Sequence, residues 1–251
     1  MRGLRPLNRA LIPASAVRGD RITITDAAEL RHLIRVRRVR VGEPLECVDG
    51  SGRRYTGRVA QCSAREMVVA LEASTSADRS SLALTLAHAL IKPDRFAWAL
   101  QKATELGAAR IIPLVTARGI VRLREERVPG QAARWQRIVR EAVKQCGRAT
   151  IPILEPPQRL NALAMRFPEW PLVLMPTLAV PVRPLRDALA QAGPVASALV
   201  LIGPEGDFTS EEAALAQGQG AVPVSLGPLT LRSETAAVAS LAILQHVMAG
   251  I

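Results

Sequence analysis

Two consecutive strand–loop–helix units between residues 201 and 236 restrict the fold of this chain more than any other stretch. The apolar runs 198–202 and 222–226 predict buried strands. The first leads into the loop Gly203-Pro204-Glu205-Gly206 and the second into Leu226-Gly227-Pro228. In an α/β protein such loops lie at the carboxyl ends of the strands, and glycine lets a ligand approach the backbone. We therefore expect a small-molecule site here.

A helix is predicted after each loop. Thr209 with Glu212 three residues later forms a capping box, and Ser233 precedes a long apolar run. The loop at Gly203 lacks the Gly-Lys-Ser/Thr ending of a phosphate loop and does not fit GxGxxG. His88 and His246 lie in apolar runs, and no serine or cysteine nucleophile is placed beside a histidine. The chemistry is therefore expected to come from a bound cofactor.

The charge favours nucleic acid as a partner. The 251 residues carry a formal net charge of +11, and only three of the 33 basic residues are lysine, which leaves 30 arginines. Guanidinium groups suit forked recognition of phosphates, although a compositional bias toward arginine stays open as an alternative. Three cysteines far apart predict neither a zinc site nor a disulfide framework, and they favour a cytoplasmic location. No apolar run approaches the roughly 18 residues of a membrane span.

Residues 1–72 are predicted to form a small β-barrel. Strands are expected at 21–25, 45–48, 55–60 and 67–71, with one helix from Asp26 to about residue 37. This region has 14 arginines against eight acidic residues. Arg31, Arg35 and Arg38 are expected on one helix face that binds RNA phosphates, with an ordinary solvated face as the alternative. The Ser-rich residues 73–81 are predicted to be a linker.

From residue 82 the chain alternates between predicted strands and helices. Strands are expected at 82–90, 111–115 and 172–175, and helices at 94–106, 131–146 and 184–191. The last helix, 234–248, is apolar almost all round, so it is either enclosed in the core or a subunit interface. Its many alanines favour contact with a second copy. Basic residues at loop ends are further candidates for RNA binding: Lys92, Lys102, Arg118 and Arg148.

Four ordered segments carry a family resemblance: 95–118 (RFAWALQKATELGAARIIPLVTAR), 141–152 (EAVKQCGRATIP), 202–208 (IGPEGDF) and 226–236 (LGPLTLRSETA). Together they resemble the ribosomal RNA small subunit methyltransferase E family of the SPOUT superfamily. Residues 32–38 (HLIRVRR) are similar to a segment of that family's PUA-like barrel. The resemblance covers nearly the whole chain.

The resemblance implies a C-terminal SPOUT-type α/β domain, residues 82–251, with a parallel sheet and a deep trefoil knot, beside an N-terminal PUA-like RNA-binding β-barrel. It implies a homodimer that methylates N3 of a uridine, uridine 1498, in 16S ribosomal RNA or the small ribosomal subunit. The methyl donor would be S-adenosylmethionine, without a metal. The residues carried over as its binding site are Leu174, Met175, Ile202, Gly203, Pro204, Glu205, Gly206, Leu226, Gly227, Leu231 and Arg232.

The reaction implied by the family assigns roles to three side chains. N3 of uracil must lose its proton, and negative charge then spreads onto the flanking carbonyl oxygens. Arg232 is expected to stabilise that charge, and Glu234 or Glu205 to accept the proton. Arg9 is carried over for RNA binding on a loose match. Asp207, the pair at 229–230 and Lys144 depart from the family's usual residues.

Two other functions stay open. One is a SPOUT methyltransferase that acts on a ribose 2′-hydroxyl. The other is a non-catalytic RNA-binding protein of ribosome assembly that retains the cofactor fold.

Overall fold

The structure, a computed structural model, describes residues 8–76, 82–119 and 128–249. The chain divides into two compact units. The N-terminal unit comprises Met1–Arg79 and Val143–Ile151, and the C-terminal unit comprises Ser80–Ala142 and Pro152–Ile251. Each unit has its own sheet and its own buried core.

A mixed six-stranded sheet forms the N-terminal unit. Its strands are β1 (Asn8–Leu11), β2 (Val17–Arg18), β3 (Arg21–Ile24), β4 (Pro44–Val48), β5 (Arg53–Cys62) and β6 (Met67–Ser76). They lie in the order β1-β4-β5-β6-β3-β2, and all pairs are antiparallel except β1 with β4. The four predicted strands are present. Strand β6 extends to Ser76, so the first four residues of the predicted linker continue a strand, and 77–81 lie outside the described residues.

The predicted arginine helix begins and ends near the expected residues but has a different geometry. Helix α1 (Ala27–Arg31) starts at Asp26, whose carboxylate accepts a hydrogen bond from the Glu29 amide at 2.8 Å. The chain continues as a π-helical turn, His32–Val36. Because a π turn holds more residues than an α turn, the spacing from Arg31 to Arg38 no longer defines one helix face.

Arg38 itself lies beyond the helix, so the prediction of a single face for Arg31, Arg35 and Arg38 is wrong. Its φ of 56° is in the left-handed region. This turn brings Val39 into the core beside Leu33, whose carbonyl accepts a hydrogen bond from the Val39 amide at 3.0 Å. All three arginines are exposed. Burial of Val39, rather than helical periodicity, therefore decides the position of Arg38.

Residues from the end of the third helix complete the N-terminal unit. Val143 and Ala149 pack with Leu11 and Val48 in a separate apolar cluster. The Ile151 amide donates to the Gly50 carbonyl at 2.9 Å. The unit is thus built from two pieces of the sequence.

An eight-stranded sheet forms the C-terminal unit, and every strand pair in it is parallel. Its strands are β7 (Ala83–Ala89), β8 (Arg110–Val115), β9 (Ile153–Leu154), β10 (Gln158–Arg159), β11 (Leu172–Pro176), β12 (Arg183–Pro184), β13 (Ser197–Ile202) and β14 (Val222–Ser225). The order is β10-β8-β7-β13-β11-β14-β12, with β9 also paired to β8. The parallel α/β prediction is confirmed, and the short edge strands were not predicted.

The helices of this part of the chain are α2 (Pro93–Glu105), α3 (Val128–Cys146), α4 (Leu160–Ala164), α5 (Leu185–Ala192), α6 (Ser210–Gly218) and α7 (Ser233–Ala249). Helix α7 packs against α2, β7 and β13, and it buries Ala237, Leu241 and Leu244. Ile243 and Val247 on the same helix are exposed. Within the described residues, no helix has the length and apolar character that a membrane crossing requires.

Glu155 joins two arginines at the edge of the parallel sheet. Its carboxylate accepts hydrogen bonds from Arg110 and Arg166, and the side chain is 13% exposed. Burial raises the pKa of Glu155, but the hydrogen bonds from Arg166 and Arg110 outweigh burial, so the pKa lies below the ordinary 4.5. A lowered pKa contributes stability above the pKa of the unfolded chain, and this contribution is lost as the pH falls through the folded value.

We expect Glu155→Gln to lower the free energy of unfolding at pH 7 by about 2 kcal/mol, because Arg110 loses its ionised partner and Arg166 keeps only Glu169. Urea denaturation at pH 7, 4.5 and 3 measures this. The loss of stability below pH 4.5 should be shallower than in the wild type. Glu72→Gln, which breaks the exposed pair with Arg58, is the control and should cost less than about 0.5 kcal/mol. An unchanged pH dependence in Glu155→Gln would contradict this assignment.

Candidate functional site

The loops that follow β11, β13 and β14 enclose one cavity of about 280 Å³. Leu174 on β11 pairs with Val200 on β13 and with Val222 on β14, so the carboxyl ends of the three strands lie side by side. This is the position at which parallel α/β sheets bind ligands. The residues that line the cavity are Pro176, Thr177, Leu178, Ile202, Gly203, Pro204, Glu205, Asp207, Val224, Ser225, Leu226, Gly227, Leu229, Thr230, Leu231, Arg232, Ser233 and Ala236.

Eight of the eleven residues predicted to bind the cofactor line this cavity: Ile202, Gly203, Pro204, Glu205, Leu226, Gly227, Leu231 and Arg232. Leu174 and Met175 do not, because β11 continues to Pro176 and both side chains are buried in the sheet. Gly206 is also absent from the cavity wall, and a Cβ there would contact the side chain of Arg118.

The end of β11 and the loop after it supply wall residues that the sequence interpretation missed. Pro176, Thr177 and Leu178 line the cavity, one to three residues beyond the predicted Met175. The loop after β14 adds Leu229 and Thr230. The predicted strand ends at residue 175, whereas β11 ends at Pro176. Because the strand is longer than predicted, the residues that line the cavity also lie further along the chain.

Asp207 occupies a conformation that side chains rarely adopt. Its φ of 58° is in the left-handed region, where glycine is favoured and aspartate is tolerated. Its carboxylate accepts hydrogen bonds from its own loop and from the loop after β11. Asp207 therefore holds a backbone conformation that glycine favours and adds side-chain contacts between the two loops.

A buried serine fixes the start of α7 against the loop after β13. The Ser233 hydroxyl donates a hydrogen bond to the Gly203 carbonyl, and His88 Nε2 lies 3.5 Å from the Ser233 hydroxyl oxygen. His88 Nδ1 is 2.7 Å from the Ala89 carbonyl, so this nitrogen is the donor of the neutral ring. Complete burial lowers the pKa of His88, and this effect outweighs the hydrogen bonds and nearby acids that raise it. The imidazole is therefore neutral at pH 7. His88 is thus a buried structural residue of the C-terminal unit.

Arg95, which was not singled out from the sequence as a functional residue, links the two candidate proton acceptors. Its Nη1 lies 3.4 Å from Glu205 Oε1, and its Nε lies 3.8 Å from Glu234 Oε1. The side chains of Arg95, Glu205 and Glu234 are 33%, 25% and 12% exposed. Glu234 Oε2 is buried and accepts no hydrogen bond within the described part of the chain. Arg95 comes from α2, more than 100 residues before Glu205, so local spacing could not indicate this contact.

The basic residues predicted at loop ends of the C-terminal unit have different surroundings. Lys92 is exposed, whereas Lys102 Nζ binds Glu105 at 2.8 Å. Arg118 Nη1 donates to the Gly206 carbonyl at 2.7 Å and to the Phe208 carbonyl at 3.2 Å. These two hydrogen bonds stabilise the loop after β13. Arg118 therefore supports the cavity, and its role in RNA binding stays a prediction. No group of three or more His, Cys, Asp or Glu side chains in the described ranges is arranged to hold a metal ion.

Arg9 and Arg148 lie in the N-terminal unit. Arg9 Nε and Arg54 Nη1 bind the same oxygen of Glu46, at 2.6 and 2.7 Å. Burial raises the pKa of Glu46, but the two arginines outweigh burial, and the pKa is lowered overall. Arg148 is half-buried and donates to the Thr150 hydroxyl at 3.0 Å. The RNA-binding roles of Arg9 and Arg148 stay predictions.

Comparisons with known proteins agree with this architecture. A family model described as RNA methyltransferase domain matches residues 78–245, and one described as RNA methyltransferase PUA domain matches residues 24–71. The chain is 32% identical over 224 residues to the ribosomal RNA small subunit methyltransferase E of Mycobacterium bovis, covering 88% of this chain and 84% of that protein.

Two solved structures are similar over nearly the full length. The ribosomal RNA small subunit methyltransferase E of Neisseria gonorrhoeae, bound to S-adenosylmethionine, has 30% identity and a TM-score of 0.85, covering 96% of this chain and 98% of that chain. A putative methyltransferase of Legionella pneumophila in complex with the same cofactor has 31% identity and a TM-score of 0.87, with the same coverage.

We expect Ser233→Ala to lower the free energy of unfolding by about 1–2 kcal/mol, because the buried Gly203 carbonyl loses its donor. Urea denaturation at pH 7 measures the change. The matched control is Ser240→Ala on the same helix. Among the described residues, the Ser240 hydroxyl donates only to the Ala236 carbonyl of its own helix, at 2.8 Å, so its loss should cost less than about 0.5 kcal/mol. Equal costs for the two variants would contradict the role of Ser233.

Proposed function

The chain belongs to the ribosomal RNA small subunit methyltransferase E family, and on this basis we propose that it methylates N3 of a uridine in 16S ribosomal RNA. The observation that supports this proposal most is the cavity at the carboxyl ends of β11, β13 and β14. Three loops with adjacent strand ends form its wall, and both Glu205 and Arg232 face it. The proposed target is uridine 1498.

The residues of the cavity fit S-adenosylmethionine. Ile202, Leu226 and Leu231 offer apolar side chains to an adenine ring, and the loop backbones offer hydrogen-bonding groups. The carboxylate of Glu205 is compatible with a cationic ligand. When bound, the sulfonium supplies an activated methyl group for transfer to a nucleophilic nitrogen. The side chains proposed to hold it are those of the cavity wall, and Leu174, Met175 and Gly206 support that wall from outside it.

Arg232 and Glu205 are proposed to act on the uracil. Arg232 is exposed on the cavity wall, where its guanidinium stabilises the negative charge that develops on a uracil carbonyl oxygen as N3 loses its proton. Glu205 also lines the cavity, which favours it as the proton acceptor. Glu234 remains the second candidate, since its Oε2 has no hydrogen-bond partner among the described residues.

Arg95 is proposed to orient both carboxylates. Its guanidinium lies between Glu205 and Glu234, so each acid has the same cationic neighbour. Arg95 can therefore hold the two carboxyl groups in fixed positions at the edge of the cavity. Arg95 acts through these two acids and is therefore a positioning residue.

The partners proposed are 16S ribosomal RNA or the small ribosomal subunit, in the cytoplasm, and a second copy of the chain. Exposed arginines of the N-terminal unit, Arg31, Arg35 and Arg38, are available for phosphates, and Lys92 is exposed in the C-terminal unit. Helix α7 exposes Ile243 and Val247, which favours a homodimer through this helix. The trefoil knot belongs to the same proposal, with the loops after β11, β13 and β14 as its parts.

Primer extension on the modified RNA tests the reaction. Small subunits from a strain that lacks this enzyme are incubated with the purified protein and S-adenosylmethionine, and reverse transcriptase is then run across the target. We expect a new stop beside uridine 1498, because N3 methylation blocks Watson–Crick pairing. Methyl incorporation without a stop would indicate ribose 2′-O methylation. Calorimetry that detects no cofactor binding would instead support a non-catalytic RNA-binding protein.

We expect Arg232→Ala to lower kcat by about 10²–10³-fold, the range for loss of one group that stabilises developing charge. Single-turnover methylation with saturating cofactor and RNA measures the rate. Arg186→Ala is the control, since Arg186 is highly exposed, pairs only with Asp187 among the contacts described, and does not line the cavity. Its rate should stay within about twofold of the wild type. Wild-type turnover by Arg232→Ala would show that the charge-stabilising role is wrong.

A further inference from the structure

We propose that Asp207 is the positioning residue that holds the cofactor cavity in its binding shape before the ligand arrives. It does so by joining the loop after β13 to the loop after β11. The proposal rests on the function proposed above, since it assigns to Asp207 a role in binding the methyl donor.

The carboxylate of Asp207 accepts hydrogen bonds on both of its oxygens. Oδ2 accepts from the Leu178 amide at 2.6 Å, and Oδ1 accepts from the Phe208 amide at 2.7 Å. The Thr177 hydroxyl lies 3.0 Å from Oδ1 and 2.9 Å from Oδ2, and it donates its single proton to this carboxylate. Two of the three donors therefore belong to the loop after β11.

Thr177 extends the connection further along its own loop and to the third strand. Its hydroxyl oxygen accepts a hydrogen bond from the Ala179 amide at 3.1 Å. Its amide donates to the carbonyl of Val224, on β14, at 3.3 Å. Asp207, Thr177 and Val224 all line the cavity. The ends of all three strands are thus joined through one threonine and one aspartate.

The backbone conformation makes this contact possible. At φ 58° the Asp207 side chain lies close to Gly203, where an added Cβ would come within 3.1 Å of Oδ1. Glycine at position 207 would adopt the same φ without strain but would leave the Leu178 amide and the Thr177 hydroxyl without this acceptor. The aspartate therefore supplies bonds between loops that a glycine cannot.

Bonds between loops matter because ordering a loop during binding weakens affinity. A cavity whose walls are already fixed avoids that loss, and hydrogen bonds to an ionised acceptor are among the stronger ones. Asp207 stabilises the shape of the cavity and has no role in the proton or methyl transfer. Its loss should therefore weaken cofactor binding and leave turnover at saturating cofactor nearly unchanged.

Two variants of Asp207 test this in the full-length protein. Asp207→Asn keeps the side-chain volume and tolerates the positive φ. Its NH₂ group, however, must face the amide of Leu178 or of Phe208, and two N–H donors cannot form a hydrogen bond with each other. Asp207→Gly keeps the backbone conformation and removes every side-chain bond. We expect each to raise the Kd for S-adenosylmethionine, measured by calorimetry, by about 10-fold, with kcat within about twofold of the wild type.

The matched control is Asp49→Asn in the N-terminal unit. Asp49 Oδ1 also accepts from two loop amides, those of Ser51 and Arg53, but Asp49 does not line the cavity. Its Kd should stay within about twofold of the wild type. A Kd within twofold of the wild type for both folded Asp207 variants would overturn the proposal. If neither variant folds, Thr177→Val provides the test. We expect it to raise the Kd for S-adenosylmethionine about threefold, and an unchanged Kd would overturn the proposal.

Hydrogen exchange separates this proposal from the proposed function. In the protein without cofactor, Asp207→Gly should expose the Leu178 and Phe208 amides to faster exchange, while the Ser51 amide is unchanged. Failure of the wild type to bind S-adenosylmethionine would refute the proposed function, and the exchange rates would still test the connection between the loops. If the wild type binds S-adenosylmethionine and the Asp207 variants bind it with the same Kd, only the role of Asp207 would be refuted.

Discussion

The parallel pairing of β13 with both β7 and β11 is the contact on which the candidate site depends. Six residues of β13 pair with β7, and three pair with β11. Strand β11 in turn pairs with β14, whose position in the sequence is later than that of β13. Because all these strands run in one direction, loops separated by many residues share one edge of the sheet. The cavity is a consequence of this register.

Local sequence patterns predicted much of this architecture. The apolar runs before Gly203 and Gly227 became β13 and β14, and the capping box at Thr209 starts α6 as expected. Such patterns work because burial and capping act over a few residues. The structure also contains contacts that no local pattern encodes. Arg95 reaches Glu205 across 110 positions, and the register of β11 decides that Thr177, rather than Leu174, faces the cavity.

The N-terminal arginines show a second limit of prediction from sequence. Counting charges treats every guanidinium as available to a phosphate, but Arg9 and Arg54 share the buried carboxylate of Glu46. Arg38 is exposed for a different reason, since burial of Val39 ends the helix before it. The amino-acid composition indicates the sign of the electrostatic potential around the protein. Which arginines remain free depends on the few buried acids, and those are recognisable only in the folded chain.

The two-piece construction of the N-terminal unit has a consequence for synthesis on the ribosome. Leu11 and Val48 pack with Val143 and Ala149, which are made much later. At roughly 5–20 residues per second, the chain from residue 79 to residue 151 takes on the order of 4–14 seconds to emerge. During that interval Leu11 and Val48 lack the side chains of Val143 and Ala149 against which they pack in the folded protein. The N-terminal unit can therefore reach its final packing only after more than half of the polypeptide has been translated.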